Sequence, residues 1–374
     1  MVFLNRDAAR IAFFRRTLSQ IMPFGLIWLF FGIIYSILEK GLLGSSTVYP
    51  ATGNPYEFVT AMMSASLGTL LMGWMMGTVE LLLLKRLFIK KTFGQKLLLK
   101  TTIYVAALIL FLVVTAQITN SIRMERSLFH PVVVQAMLGF LSNFAFLSLI
   151  IYSGAIVTIT LFFTEVSDSL GANVLKNFFL GKYHTPQEEE RVFMFLDMKS
   201  STTIAEQLGH TRYFDLLNKY YADMSEALIQ TFGEIYQYVG DEMVVSWTLK
   251  HGIRNNNCLR CFFLIKATYH RLAEKYEKQF GLVPAFKAGF HYGKITTGEI
   301  GVLKKEILFT GDVLNTTARI QGSCNTYGVD ILISSELLSL LSTEEGYQVQ
   351  EIGEVELQGR HAKVKLFTVK QSCL

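Results

Sequence analysis

Residues 235–247 read IYQYVGDEMVVSW and predict a β-hairpin with an acidic tip. The side chains alternate up to Val239, a tight turn follows at Gly240, and an apolar strand returns after Asp241 and Glu242. A carboxylate beside glycine at a hairpin tip suits a divalent cation that is held against phosphate oxygens. Because turns favour Gly and Asp for backbone reasons alone, the rest of the chain must decide the role of this hairpin.

The hairpin lies in a half of the chain in which strands and helices alternate. A buried strand is predicted at 191–196, and paired strands are predicted in the glycine-rich segment 285–301. The other predicted elements are helices ending near 232 and covering 257–278, 313–324 and 335–342, a strand at 330–333 and a final hairpin at 348–370. This order predicts an α+β fold with helices on a mostly antiparallel sheet.

The first part of the chain has a different composition. Hydrophobic residues make up 51% of the 374 residues, and they are concentrated before about position 165, whereas charged residues prevail after it. The change predicts three regions: a membrane domain at 1–164, a helical linker at 165–190 and a soluble domain at 191–370.

Four apolar runs, at 21–38, 58–84, 102–119 and 139–163, are long enough to span a bilayer, which takes about 20 residues. Basic residues flank these runs near the N-terminus and in the 85–100 loop, and they account for much of the net charge of +5. The positive-inside rule then places the N-terminus and the soluble domain in the cytoplasm of a multi-pass protein of the cell membrane. No nucleic-acid partner is predicted.

Two features of the second span suggest specific contacts. Gly73 and Gly77 permit close helix approach, although small residues also serve general packing in membrane helices. Glu80 lies near the cytoplasmic end, where it either reaches toward Lys85 and Arg86 or marks a sensing or ion site. The sequence does not indicate what regulates the membrane domain, and a lipid, an ion, a ligand and a partner protein remain alternatives.

Polar residues of the soluble domain fall where phosphate chemistry needs them. Asp197 closes a predicted strand, and Asp241 lies at the tip of the predicted hairpin. Residues at two such positions often face each other across adjacent strands. Two carboxylates beside the Ser/Thr-rich turn at 198–202 suit magnesium and a triphosphate. Asn315 and Arg319 are one helical turn apart, so both can contact one ligand. An amide orients a sugar hydroxyl, and an arginine stabilises charge that develops on a phosphoryl group.

Four segments together resemble the catalytic domain of the class III nucleotidyl cyclases. They are VFMFLDMKSST at 192–202, YQYVGDEMVVSW at 236–247, HYGKITTGEIG at 291–301 and GDVLNTTARIQ at 311–321. The resemblance covers about 191–370 and implies a ferredoxin-like antiparallel sheet with helices. It also implies attack of the ribose 3′-hydroxyl on the α-phosphate, which gives a 3′,5′-cyclic nucleotide for intracellular signalling and pyrophosphate. Four spans joined to such a domain resemble bacterial membrane-bound cyclases.

The resemblance implies a role for each matching residue. Asp197 and Asp241 would bind two Mg²⁺ or Mn²⁺ ions per site, with the carbonyl of Met198 as a further contact. Asn315 would position the ribose, and Arg319 would stabilise the pentacoordinate α-phosphate. The resemblance also implies residues that bind the β- and γ-phosphates. Four of them lie in the turn after Asp197 (Lys199, Ser200, Ser201 and Thr202), and the other two are Gly240 and Arg360.

The family also implies a homodimer, because its active site forms between two catalytic domains. One domain binds the metals and the other supplies the Asn and Arg. This chain has one such domain and carries both sets of residues, so a symmetric homodimer with two equivalent sites is predicted.

The identity of the base is the least defined property. Where adenylyl cyclases of the family carry a lysine and an Asp or Thr, this sequence has Gln237 and Leu308. Glutamine can donate to and accept from a purine edge, whereas leucine can only pack. ATP is the predicted substrate, and GTP or a pyrimidine nucleotide is the alternative.

Three other functions are compatible with parts of the pattern. Residues 239–242 are similar to the hairpin of diguanylate cyclases, although the first glycine of that motif is missing. A degenerate domain that binds nucleotide would serve as a non-enzymatic membrane sensor. A channel with an appended domain is disfavoured because the spans lack a polar stripe.

Overall fold

In the computed structural model, the chain divides into two units, Phe13–Lys176 and, for its larger part, Asn177–Leu374. The structure describes residues 6–50, 53, 55–88, 91–170, 177, 180–343, 346–356 and 363–372. Of the linker predicted at 165–190, residues 165–170 belong to the last membrane helix, residues 187–190 belong to the first strand, and residues 171–176 and 178–179 lie outside the described residues.

Long apolar runs form the helices of the first unit. These are α1 (Arg6–Leu43), α2 (Phe58–Val79, extended by a π-helical turn at Glu80–Leu84 and by Lys85–Leu87), α3 (Phe93–Met124), α4 (Pro131–Leu141) and α5 (Phe144–Leu170). Among the described residues, four segments are long and apolar enough to cross a membrane: Gln20–Leu43, Phe58–Leu84, Phe93–Met124 and Phe144–Ser169. The four predicted spans are therefore confirmed as helices of sufficient length.

The fourth span starts a few residues later than predicted. The apolar run divides into α4 and α5, because the side chain of Asn143 accepts a hydrogen bond from the Ala145 N–H at 2.9 Å and caps the start of α5. Apolar composition continues across this break, so hydropathy alone could not locate it.

Gly73 brings α1 and α2 into close contact. A Cβ atom at this position would lie 2.6 Å from the Phe24 carbonyl oxygen, so the two backbones could not approach so closely with a larger residue. Phe24, Trp28 and Met76 are buried beside it. The prediction of close helix approach at Gly73 is confirmed.

The second unit is built on one mixed sheet. Its strands are β1 (Gln187–Met198), β2 (Glu234–Val239), β3 (Glu242–Thr248), β4 (Phe286–Ile300), β5 (Glu306–Thr310), β6 (Ile331–Ser334), β7 (Tyr347–Glu356) and β8 (Lys363–Gln371). The order is β2-β3-β1-β4-β6-β8-β7, with β5 paired to β4. Every described pairing is antiparallel except that of β4 with β6. The predicted α+β class is confirmed.

Helices cover both faces of this sheet. They are α6 (Ser201–Gln230), α7 (Leu249–Ile253), α8 (Asn257–Phe280), α9 (Asp312–Tyr327) and α10 (Ser335–Leu338). Alternate residues of β1 take part in two cores: Met194 and Leu196 pack with α6 and α8, whereas Phe193 and Phe195 pack with Val313 of α9. Asp197 follows the second set and therefore lies on the α9 face.

The prediction of paired strands at 285–301 is wrong. The segment forms the single strand β4, which pairs with β1 along Phe286–Thr297 and turns back into β5 only after Ile300. The glycines that suggested a turn instead make room for α9. A Cβ atom at Gly289 would lie 2.3 Å from the Gln321 backbone nitrogen.

Substitution of Gly289 by Ala is expected to lower the free energy of unfolding by about 2 kcal/mol or more, because α9 would have to move off β4. The melting temperature of the purified protein would then fall by at least about 4 °C. Gly322 is the matched control: it lies within α9, and nothing lies within 4 Å of an added Cβ atom. Gly322→Ala should leave the melting temperature unchanged or raise it. Equal effects of the two substitutions would contradict close packing at Gly289.

Candidate active site

The hairpin at 235–247 places two aspartates side by side. β1 pairs with β3 so that Asp197 lies opposite Glu242, and Asp241 precedes Glu242 in the turn. Gly240 makes this turn possible with φ of 62°, and its carbonyl accepts a hydrogen bond from the Tyr221 hydroxyl at 2.8 Å. The sequence interpretation of residues 235–247 as strand, turn and strand is confirmed.

Asp197 is held by two polar side chains that the sequence did not single out. Gln321 Nε2 donates to Asp197 Oδ2 at 3.1 Å, and Lys287 Nζ lies 3.3 Å from the same oxygen. Lys287 is opposite Asp197 in the pairing of β1 with β4 and is itself buried. These contacts fix the orientation of the carboxylate before any ligand binds.

Asp241 presents a carboxylate oxygen that lacks a partner. Its Oδ2 atom is buried and forms no hydrogen bond with the part of the chain that the structure describes. Burial raises the pKa of Asp241, a hydrogen bond with Ser201 opposes the rise, and the neighbouring Asp197 carboxylate adds to it. A buried, unsatisfied oxygen beside a second carboxylate fits a divalent cation, which would satisfy both.

The two aspartates could not complete a coordination shell by themselves. Within the described ranges, no group of three or more His, Cys, Asp or Glu side chains is arranged to hold a metal ion. A hard cation such as Mg²⁺ keeps waters and takes oxygens from one or two carboxylates and from substrate phosphates. The donor set fits a cation that binds together with its phosphate ligand.

Glu242 is a further acid at this site. Burial raises its pKa to about 7, and the Asp197 and Asp241 carboxylates add to the rise, whereas Lys287 opposes it. The side chain therefore gains and loses its proton near neutral pH, because burial and the nearby negative charges disfavour the ionised carboxylate.

We expect cation binding to depend on pH through Glu242. A bound cation favours the ionised carboxylate, so the Mn²⁺ concentration for half-maximal activity should fall as the pH rises through about 7. Glu242→Gln should flatten this dependence between pH 6 and 8, because the titrating group is gone. Without a bound cation, the free energy of unfolding changes in the opposite direction. It falls as the pH rises from the ordinary pKa of a glutamate toward about 7, because the folded state binds the proton more tightly than the unfolded state does. If the pH profile of Glu242→Gln equalled that of the wild type, Glu242 would not influence cation binding.

The predicted phosphate-binding turn lies between β1 and α6. Met198 ends β1, Ser200 has φ of 56°, and α6 begins at Ser201, so the first N–H groups of this helix have no intrahelical acceptor. Thr202 is exposed in this first turn. Such N–H groups suit phosphate oxygens.

Lys199 differs from the rest of this turn. Its ammonium is 2.6 Å from Asp330 Oδ1, and its backbone N–H donates to the Ala285 carbonyl at 2.8 Å. Lys266 is 2.7 Å from the other Asp330 oxygen. The Lys199 side chain thus anchors the turn to the segment before β6, and its role in binding phosphate stays a prediction.

Asn315 and Arg319 lie on one face of α9, as the spacing predicted. Neither side chain forms a hydrogen bond or ion pair with the described residues. Gln321, which contacts Asp197, is two residues beyond Arg319 and therefore about 200° away around the helix axis. The face that carries Asn315 and Arg319 is turned away from the aspartates of the same chain.

The two candidate base-selecting residues lie on β2 and β5. Gln237 is exposed, and Leu308 is half-buried. Their neighbours Tyr236 and Phe309 stack with ring centroids 4.5 Å apart, and the Tyr236 hydroxyl accepts a hydrogen bond from the Phe309 N–H at 3.2 Å. The structure thus brings β2 and β5 together. Arg360 lies outside the described residues.

Comparison with known proteins supports the resemblance. The family profile described as "Adenylate and Guanylate cyclase catalytic domain" matches residues 184–371. The chain is 35% identical to adenylate cyclase 2 of Rhizobium meliloti (strain 1021) over 228 residues, which are 61% of this chain and 63% of that protein. It is 26% identical to an adenylate cyclase of Anabaena cylindrica over 184 residues, 47% of this chain and 36% of that protein.

The solved structure of a bacterial light-regulated adenylyl cyclase is similar in fold. Its TM-score is 0.51 at 20% sequence identity, and the match covers 59% of this chain and 65% of that one. The chain therefore spans less than two thirds of each of these three relatives.

Proposed function

The chain belongs to the adenylate and guanylate cyclase catalytic-domain family, and we propose that it converts ATP into 3′,5′-cyclic AMP and pyrophosphate. The observation that carries the proposal is the unsatisfied Asp241 oxygen beside Asp197, next to the free N–H groups at the start of α6. This arrangement suits a cation and a triphosphate together. The diguanylate cyclase alternative belongs to another family and is set aside.

Asp197, Asp241 and the Met198 carbonyl would hold Mg²⁺ or Mn²⁺, two ions per site. When bound, such ions neutralise triphosphate charge and lower the pKa of the attacking ribose hydroxyl. The chain's own contribution is orientation, because Gln321 and Lys287 fix the Asp197 carboxylate. Lys287 also adds a buried positive charge near the site.

The remaining residues act on the nucleotide. The backbone of Met198–Thr202, together with Gly240, would bind the β- and γ-phosphates through N–H groups. Asn315 would hold the ribose, and Arg319 would stabilise negative charge on the pentacoordinate α-phosphate. Arg360 would contact the terminal phosphates.

We infer that two copies of the chain form each site. Asn315 and Arg319 have no described partner and face away from the aspartates of their own chain, so they need a nucleotide that another chain holds. A symmetric dimer pairs the aspartates of one copy with the Asn315/Arg319 face of the other and repeats the arrangement.

ATP is preferred because the two most similar relatives described above are named adenylate cyclases. Gln237 is exposed and offers both a donor and an acceptor to a purine edge, whereas Leu308 offers only an apolar contact. GTP and the pyrimidine nucleotides are the competing substrates.

The four apolar helices support a multi-pass location in the cell membrane, with the N-terminus and the catalytic unit in the cytoplasm, where nucleoside triphosphates are available. The bilayer is then a partner of the first unit. A lipid, an ion, a ligand or a membrane protein would regulate the cyclase through it.

The decisive experiment incubates the purified full chain with Mg²⁺ or Mn²⁺ and each of ATP, GTP, CTP and UTP. We expect cyclic AMP and pyrophosphate from ATP as the main products, identified by mass spectrometry. Preference for another nucleotide would correct the base and keep the reaction. No product from any nucleotide, in detergent and in lipid, would overturn the proposal and favour a non-enzymatic nucleotide sensor.

A further inference from the structure

Three charged side chains from three helices meet inside the membrane unit. Lys100 of α3 is 1% exposed, and its ammonium donates to Glu80 Oε1 at the end of α2 and to Glu165 Oε1 of α5, the latter at 2.6 Å. Both glutamates are also buried. None of these contacts has a role in the proposed chemistry.

Neighbouring groups complete this arrangement. The Tyr104 hydroxyl is 3.3 Å from Glu80 Oε2, and Lys96 Nζ is 3.6 Å from Glu165 Oε2. Lys96, Lys100 and Tyr104 follow one another at intervals of four residues, so one face of α3 carries all three. We refer to Glu80, Lys96, Lys100 and Glu165 as the span cluster; its two positive and two negative charges balance.

The backbone is also unusual at this point. α2 widens into a π-helical turn that starts at Glu80, where the Lys85 N–H donates to the Glu80 carbonyl. π-helical turns within α-helices are rare and are found mostly at functional sites. One sequence alternative for Glu80 is that its side chain reaches toward Lys85 and Arg86. For Lys85 it is wrong, because the Lys85 ammonium pairs with Asp168 at 2.7 Å and the Glu80 carboxylate pairs with Lys100. The Arg86 side chain lies outside the described residues.

A cluster of this kind does little for stability. The free energy lost when charges leave water is about as large as the free energy gained when they pair. Apolar residues of similar volume therefore often stabilise a protein equally well. What paired charges supply inside a membrane is a defined position, because each helix must keep its charge next to its partners. The span cluster therefore fixes the ends of α2, α3 and α5 against one another.

The helix that is held in this way, α5, is the last of the described helices of the first unit in the sequence. α5 carries Glu165 and Asp168, and their partners Lys96, Lys100 and Lys85 come from α3 and from the end of α2. All of these ion pairs lie within the final turns of α5. A change in any of the three helices would thus reach α5 at its C-terminal end.

We propose that the span cluster is the control point through which the membrane unit sets the rate of the cyclase. With Lys100 paired to both glutamates, α5 is held in the position in which two catalytic domains form productive sites. Loss of the pairing frees α5 and slows the reaction. This inference rests on the proposed cyclase activity and adds its means of regulation.

The test uses the full chain in lipid nanodiscs with ATP and Mn²⁺. In Lys100→Met we expect kcat to fall at least about fivefold, the size of a modest allosteric coupling. KM for ATP should stay within about twofold, because the substrate contacts lie in the other unit. Lys100→Arg, which keeps the charge, should retain most of the activity. Lys40→Met is the matched control, since Lys40 is an exposed lysine of the same unit without an ion pair to the described residues.

A combined Glu80→Gln, Lys100→Met, Glu165→Gln variant separates regulation from stability. The one charge of the span cluster that remains is that of Lys96, whose side chain is 25% exposed and can reach water, so no fully buried charge is left unpaired. The melting temperature should therefore stay close to the wild-type value while kcat stays low. Wild-type kcat in this variant, or in well-folded Lys100→Met, would overturn the inference. If the wild-type chain itself makes no cyclic nucleotide in the same nanodiscs, the proposed function fails instead.

Discussion

Asp197→Asn is expected to lower kcat about a thousandfold or more, with the folded structure retained. Asparagine has the size of aspartate and can still accept the hydrogen bond from Gln321 Nε2. It lacks the negative charge that faces Lys287 and that a divalent cation requires. The defect should therefore appear in catalysis and in the cation concentration that activity requires, with little change in melting temperature.

The measurement is steady-state formation of cyclic nucleotide with a series of Mg²⁺ and Mn²⁺ concentrations. Asp215→Asn is the control, because Asp215 is an exposed aspartate on α6 of the same unit. It should retain wild-type rates. If Asp197→Asn kept more than about a tenth of the wild-type kcat at ordinary Mg²⁺ concentrations, Asp197 would not be a cation ligand.

The local part of this site was predictable from the sequence. Alternating side chains and a Gly-Asp turn define the hairpin at 235–247, and helical spacing puts Asn315 and Arg319 on one face. Hydropathy likewise predicted the four spans, because each needs only a continuous apolar run. In each case the determining residues are close together in the chain.

The contacts that complete the site are long-range, and they were missed. Gln321 is 124 residues from Asp197, and only the packing of α9 on β4 brings the two together. The signal was present in Gly289, which permits that packing, but glycine in a strand also signals a turn, and the turn was predicted. Lys287 could have been found by pairing β1 with β4, since it lies directly opposite Asp197.

The same packing decides which way the Asn315/Arg319 face points. Periodicity predicts that the two residues share a face, but it does not say whether that face looks toward the aspartates. Because Gln321 contacts Asp197, the opposite side of α9 carries Arg319. This geometry is independent of the family resemblance and supports the same dimer.

Co-expression of two inactive chains is therefore expected to restore activity. Asp241→Ala removes a proposed cation ligand, and Arg319→Ala removes the charge that is proposed to stabilise the α-phosphate, so each homodimer should fall below about 1% of the wild-type rate. In a mixed dimer, one site carries both substitutions and the other carries neither. With random pairing, about one quarter of all sites are intact, so the rate of the unfractionated protein should recover to about that fraction. In isolated mixed dimers about one half of the sites are intact, and the rate should recover to about one half of the wild-type rate.

The control is co-expression of Asp197→Ala with Asp241→Ala. Both substitutions affect the cation-binding half, so every site of the mixed dimer is defective and no recovery is expected. Two affinity tags, purified in sequence, isolate the mixed dimers for both pairs. Recovery with Arg319→Ala but not with Asp197→Ala would identify sites shared between chains. If verified mixed dimers of Asp241→Ala and Arg319→Ala stayed inactive, the shared site would be wrong, and the free face of α9 would need a different partner.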